Sequence, residues 1–321
     1  MQPILAVTVP FFALVLCGWL AARSQVLPAA AIPGLNAFVL YFALPCMLFR
    51  FGAGLPVAQL LDPWVLGIYV VVALAIVGAT IALTLSDVVR HKDAAFGALV
   101  AAFPNTGFMG VPLLTALLGP AAAGPVIATI LADLFVTSSL CIAIAQGHEA
   151  VGHGARRAAA SALRGALSNP LPWAIAAGAL SSASGLALPG PLAEVVRMLG
   201  NAASPVALFT IGAVLWRAGQ HAHTATPLRR FLPVALVKLF VHPALVFALG
   251  WGLQRAGAPI PDFALMVLTL AAALPSASNV SLLAERYGAD NGRVARIIMS
   301  STVIAFVSFT ALAWAFGVRP G

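Results

Sequence analysis

Apolar stretches of roughly 18 to 25 residues follow one another along this whole chain, near the length of about 20 residues that an α-helix needs to cross a hydrocarbon core. Ten are read, at 3–22, 32–50, 64–85, 94–118, 124–145, 170–187, 192–216, 231–252, 262–284 and 292–316. Of the 321 residues, 61% are hydrophobic and only 8% are charged, against about 25% charged in soluble domains. The fold class expected is an all-α, multi-pass membrane protein.

The basic residues then orient the helices. With the N-terminus outside, the inner loops hold Arg23, Arg90, Lys92, Arg156, Arg157, Arg164, Arg217, Arg229, Arg230, Arg286, Arg293 and Arg296. The outer side holds Arg50, Arg197, Arg255 and Arg319, and Lys238 lies inside a stretch. Lysine and arginine accumulate on the cytoplasmic side, so both termini are expected to be extracytoplasmic. The net charge of +8 is therefore a topology signal, and a nucleic-acid partner is not expected. No basic residue precedes the first stretch, so it reads as a membrane span rather than a cleavable signal. Residues 146–169 are the longest polar stretch. They are expected to form a cytoplasmic linker between a first five-helix repeat (1–145) and a second (170–321). Five helices a side gives the halves opposite orientations, the condition for an inverted repeat.

Two stretches are broken near their middles. One carries Phe103-Pro104-Asn105-Thr106-Gly107-Phe108-Met109-Gly110, the other Leu274-Pro275-Ser276-Ala277-Ser278-Asn279. A bilayer tolerates irregular backbone only where it faces protein or a wet cavity. Paired broken helices in corresponding places of two halves point to a transporter's binding site. Pro104 removes one donor and frees a carbonyl one turn earlier. Asn105, Thr106, Ser276, Ser278 and Asn279 can satisfy freed groups or bind a substrate. A half-helix N-terminus suits an anion, and the carbonyl end of its partner suits a cation. The competing explanation is a proline kink patched by polar side chains. It is weakened by the occurrence of two breaks, and by the echo of Ala43-Leu44-Pro45 in Ala203-Ser204-Pro205.

Asn105-Thr106-Gly107-Phe108-Met109-Gly110-Val111-Pro112 resembles the N-T-G-aromatic-x-G-x-P segment of the auxin efflux carrier family. Phe42-Ala43-Leu44-Pro45 with Leu48-Phe49, Pro205 to Gly212, and Pro275 through Asn279 to Tyr287-Gly288 are similar to its second-, seventh- and ninth-helix motifs. The resemblance covers nearly the whole chain. Only about 24 residues stand where the plant hormone carriers have a long central loop, so the chain resembles a compact, bacterial-type member. The resemblance implies ten transmembrane helices in two inverted five-helix repeats, similar to bile-acid symporters and sodium/proton antiporters, with helices 4 and 9 crossing at their breaks. It implies alternating access, with a crossover-bearing bundle moving against a scaffold. The implied cargo is a small organic anion, auxin-like or malate- or malonate-like. The positions carried over are Pro104, Asn105, Pro275 and Asn279.

Charges inside a bilayer are costly and usually have a partner or a task. Asp133 lies near the middle of its stretch, either a proton or cation group or a structural partner between helices. Lys238 has His242 four residues on, on the same helical face; it could face the anion pathway, pair with Asp133 or snorkel to the interface. His242 precedes Pro243 and could simply satisfy backbone in a kink. Cys17, Cys46 and Cys141 read as packing residues. His148 and His153 in the linker lack further metal ligands, and no metal or other cofactor is expected. Proton coupling, sodium coupling and uniport stay open, as does a homodimer.

An intramembrane enzyme is disfavoured: there is no HExxH, GxSxG or P-loop pattern. A channel subunit needs a shared pore that an internally repeated chain does not. Neither break contains Asp or Glu, which favours an organic anion over the alternative, a sodium/proton-type cation antiporter on the same fold.

Overall fold

In the computed structural model, residues 2–147, 164, 165, 167–220 and 226–319 are described. Much of the expected linker, with Arg156, Arg157, His148 and His153, lies outside them. Every expected apolar stretch is helical. The helices are α1 (Gln2–Arg23), α2 (Ala29–Gly54), α3 (Pro63–Thr84), α4 (His91–Ala102), α5 (Thr106–Leu118), α6 (Pro120–Gln146), α7 (Pro170–Ser184), α8 (Gly190–Gln220), α9 (Leu228–Arg255), α10 (Asp262–Ala272), α11 (Val280–Arg286) and α12 (Asn291–Ala315). Seven of these, α1, α2, α3, α6, α8, α9 and α12, are long and apolar enough to cross a membrane unaided. The 94–118 and 262–284 stretches are each two half-helices, α4 with α5 and α10 with α11, separated at the proline breaks.

Local sequence explains the starts. Asp62 accepts from the backbone N–H of Trp64 (2.9 Å) and Val65 (3.1 Å), with Pro63 opening α3. Asn169 accepts from Leu171 N–H (2.9 Å) ahead of α7, again with a proline first, and Asp290 accepts from Arg293 N–H (2.9 Å) ahead of α12. Each cap satisfies one or two of the orphan donors of a helix start. Gly185, at φ +68°, ends α7 in the left-handed conformation glycine adopts without strain.

Packing sorts the helices into two bundles. Helices α1, α2, α7 and α8 pack on one another, while α3 to α6 pack with α9 to α12. Glycine seams hold the first bundle. A Cβ on Gly18 of α1 would lie 1.8 Å from Phe209 O of α8, and one on Gly212 of α8 would lie 1.8 Å from Val15 O. The α2–α7 seam repeats the device: a Cβ on Gly178 would lie 2.3 Å from Phe49 O, and one on Gly52 3.0 Å from Ile175 O. Helices in lipid gain little from burying apolar area, so close backbone approach at small residues supplies the packing.

The second bundle is tied at its basic end. Arg293, 2% exposed, donates through Nε to Arg230 O (3.0 Å) and through Nη1 to Asp93 O (2.9 Å). Asp93 Oδ1 in turn accepts from Asp290 N–H (2.7 Å). These bonds join the starts of α4, α9 and α12. The bundles meet along α8 with α5 and α12, and along α1 with α5 and α12.

Candidate functional site: the crossing of two broken helices

Helix gives way to extended backbone at Phe103 (φ −101°, ψ 97°) and to a tight turn at Asn105 (φ −79°, ψ 53°). There the first break meets the second as a minimal antiparallel pair, Pro104 opposite Ser276. Asn105 N–H donates to Pro275 O (2.8 Å), and Ala277 N–H donates to Phe103 O (3.0 Å). Proline at 104 deprives the Val100 carbonyl of its usual partner four residues on. The Ser276 hydroxyl supplies the missing bond from the other break, at 2.7 Å. Ser276 N–H, which would otherwise close a turn on Ala272 O, donates instead to Ser301 Oγ of α12 (3.1 Å). Ser301 donates onward to Ile298 O (2.9 Å). In a dry interior each such group is satisfied or costly, so these bonds are what make two interruptions compatible with the membrane.

Not all donors are used. Among the described residues, the backbone N–H groups of Gly107 and Phe108 at the start of α5 have no acceptor, nor do those of Ser278 and Asn279 before α11. Counted from the two prolines, these are the same two positions. The carboxamides of Asn105 and Asn279 make no hydrogen bond among the described residues, and the buried Thr106 hydroxyl has no partner. Asn105 is 3% exposed and Asn279 partly exposed. A Cβ on Gly107 would meet nothing within 4 Å, so the start of α5 borders open space there. Gly110, by contrast, lets Leu274 of the other break approach, with its Cδ1 2.7 Å from where a Cβ would stand. The crossing therefore brings together Pro104, Asn105, Thr106, Pro275, Ser276, Ser278 and Asn279. It divides them: Ser276 is committed to backbone, whereas the Asn105 and Asn279 carboxamides have no partner among the described residues.

A sequence profile described as "Membrane transport protein" matches residues 3–313. This chain belongs to that transporter family, the family of the auxin efflux carriers. A protein of Rhizobium meliloti (strain 1021) named "Putative malonate transporter" is 29% identical over 325 aligned residues, 97% of this chain and 95% of the relative. The "Uncharacterized transporter YfdV" of Escherichia coli (strain K12) is 24% identical over 71% of this chain and 69% of its own length. The protein is a multi-pass membrane transporter and not an enzyme, as the sequence motifs implied.

The transporter's buried charges lie beside the crossing. Asp133 and Lys238 are both 0% exposed, and each sits in a single π-turn, 133–137 and 237–241. Such turns inside α-helices are frequent at functional sites. Asp133 does not pair with Lys238: among the described residues no carboxylate stands within 4.0 Å of that ammonium. The Asp133 carboxylate instead accepts from Tyr69 OH of α3 (2.8 Å) and Thr137 Oγ1 (3.1 Å). Lys238 Nζ donates to Ala272 O, the last carbonyl of α10 (2.5 Å), and lies 3.4 Å from His242 Nδ1. A cation at a helix C-terminus is favourably placed. The His242 ring lies 5.7 Å from the Tyr69 ring, and its Nε2 is buried with no partner among the described residues. His242 thus does not patch the kink at Pro243.

Sequence reasoning missed Tyr69, Ser301 and Arg293. Tyr69 left a trace, because a tyrosine in the middle of an apolar stretch needs a partner for its hydroxyl. Ser301 left none, since its acceptor role exists only once α12 lies against the break. For Ser276→Ala, which leaves the Val100 carbonyl buried and unpaired, a loss of about 1–3 kcal/mol is expected. It is read as an earlier melting transition of the purified transporter in detergent; an unchanged transition would show that the cross-break bond contributes nothing.

Proposed function

We propose that this transporter carries small organic anions, with malonate-like dicarboxylates foremost, as a secondary carrier or uniporter working by alternating access. The observation that carries this reading is the donor chemistry of the crossing. Four backbone N–H groups and two carboxamides at the two breaks have no partner among the described residues, and no acidic side chain lies in either break. That set matches carboxylate oxygens, which accept bonds from helix starts and amides readily. The name of the Rhizobium relative supports the substrate class.

In this reading the chain crosses the cell membrane ten times, as two oppositely oriented five-helix halves with both termini extracytoplasmic. The bundle containing the crossing moves against the glycine-seamed bundle of α1, α2, α7 and α8. At the basic end Arg217 of α8 approaches Glu285 of α11 (3.9 Å), which links the bundles. An inside-negative potential favours anion exit by about 2.3 kcal/mol per charge per 100 mV, so export needs no coupling ion.

A second reading, a sodium/proton-type antiporter, is favoured by the buried Asp133 and Lys238 next to the break. Proteoliposomes containing the purified protein separate the two. Uptake of labelled malonate, competed by excess malate or indole acetate, is expected. No flux of any organic anion, together with sodium-driven proton movement, would replace the first reading by the second.

A further inference from the structure

We propose that Asp133, Tyr69, His242 and Lys238 form one buried proton-holding unit, which takes up one proton as the crossing takes up its anion. The inference rests on the organic-anion reading above.

The geometry is a chain of contacts from α6 to the break. Thr137 and Tyr69 hold Asp133 (3.1 and 2.8 Å), the Tyr69 ring lies beside His242 (5.7 Å), His242 Nδ1 lies beside Lys238 Nζ (3.4 Å), and Lys238 holds Ala272 O (2.5 Å). Four pieces of the moving bundle, α3, α6, α9 and α10, each contribute a member. Ala272 is three residues from Pro275, so the unit ends on the backbone of the crossing itself.

Charge decides what this chain can do. A buried ion without a contacting counter-ion is expensive. With the carboxylate ionised and the ammonium protonated, the unit is neutral overall, although its two charges do not touch. When a proton binds the Asp133 carboxylate, an O–H bond forms, and Lys238 is left as an uncompensated cation bonded to the break. That is the charge state that balances one negative charge of a carboxylate bound to the nearby N–H groups. Anion and proton therefore enter together and leave together. The proton adds to a carboxylate that Tyr69 and Thr137 already hold, and His242 stands between Tyr69 and Lys238.

The surroundings supply no competing charge. Cys141, buried two turns along α6, is a neighbouring titratable group. Of the remaining helices packed around the unit, α10 carries Asp262 only in its first turn and α12 carries Arg293 and Arg296 only in its first two. Helix α4 carries His91, Lys92 and Asp93 only at its start, and α9 has Arg229 and Arg230 at its start and Arg255 at its end.

The test uses the full chain in proteoliposomes with an entrapped pH dye. Inward malonate flux is expected to acidify the lumen, one proton per substrate. Asp133→Asn is expected to abolish that proton flux, while exchange of labelled for unlabelled malonate falls by less than about tenfold. Net malonate influx into the wild type without acidification of the lumen overturns the coupling and leaves the anion reading standing. Absence of malonate exchange in the wild type defeats the anion reading instead. The unit is then tested without substrate, by thiol labelling of Gly107→Cys above the level of the native cysteines. Its rate is expected to depend on pH with Asp133 present and not with Asp133→Asn, and equal pH dependence in both overturns the proposal. Should Asp133→Asn fail to fold, Tyr69→Phe supplies the readout: a displaced pH profile of labelling supports the unit, and an unchanged one overturns it.

Discussion

Gly212→Ala is expected to remove most of the folded transporter from the membrane, although it adds one methyl group. That methyl would lie 1.8 Å from Val15 O and 2.6 Å from Trp19 N, and both are backbone atoms of α1 that cannot rotate away. Relief requires the whole of α1 to retreat from α8, and α1 also packs on α5 and α12 of the other bundle. A cost of about 3 kcal/mol is the upper end of ordinary overpacking, and backbone on both sides of the contact places this site there. The comparison is Gly78→Ala in α3, where a Cβ meets nothing within 4 Å. There alanine is expected to be neutral or to stabilise by about 0.5–1 kcal/mol, the ordinary helix preference. Fluorescence-detected size exclusion and melting in detergent read both variants. Equal yield and equal melting for the two would show that the α1–α8 seam is not a close backbone contact.

Asn105→Ala and Asn279→Ala are each expected to cut malonate uptake at subsaturating substrate by about tenfold to a hundredfold. A hydrogen bond to a charged group contributes about 1.5–3 kcal/mol, and each 1.4 kcal/mol is a factor of ten. Neither carboxamide is hydrogen-bonded among the described residues, so neither substitution removes such a bond there. The melting transitions should therefore stay near that of the wild type, in contrast to Ser276→Ala. Wild-type flux in both variants would take the two carboxamides out of the binding site.

The helices were legible because membrane-length apolar runs carry their own approximate boundaries. The two breaks were legible for a local reason: proline and small polar residues stand out in such runs. What the breaks do to each other was not. Nothing near Ser276 announces that its hydroxyl serves Val100, because the need arises at Pro104 and the donor lies in another helix. The partner of Asp133 stayed open on similar grounds. Opposite charge suggested Lys238, yet a phenol and a threonine hydroxyl reach the carboxylate, and the ammonium is drawn to a carbonyl freed by the second break. Charge complementarity is readable in sequence, but the helix face that carries it to its partner is not.

The pairing at Pro104 and Ser276 also has a consequence for how the protein is made. The serine that completes the Val100 carbonyl lies 176 residues further along the chain, and the partners of Phe103 O and Asn105 N–H are comparably far. While the ribosome is still producing α5 to α10, the first break stands in the bilayer with these groups unmatched. It becomes a finished piece of membrane structure only when the second arrives. Fragments ending before α10 should therefore be recognised by quality-control proteases as incomplete, even though every long apolar helix up to that point can insert unaided.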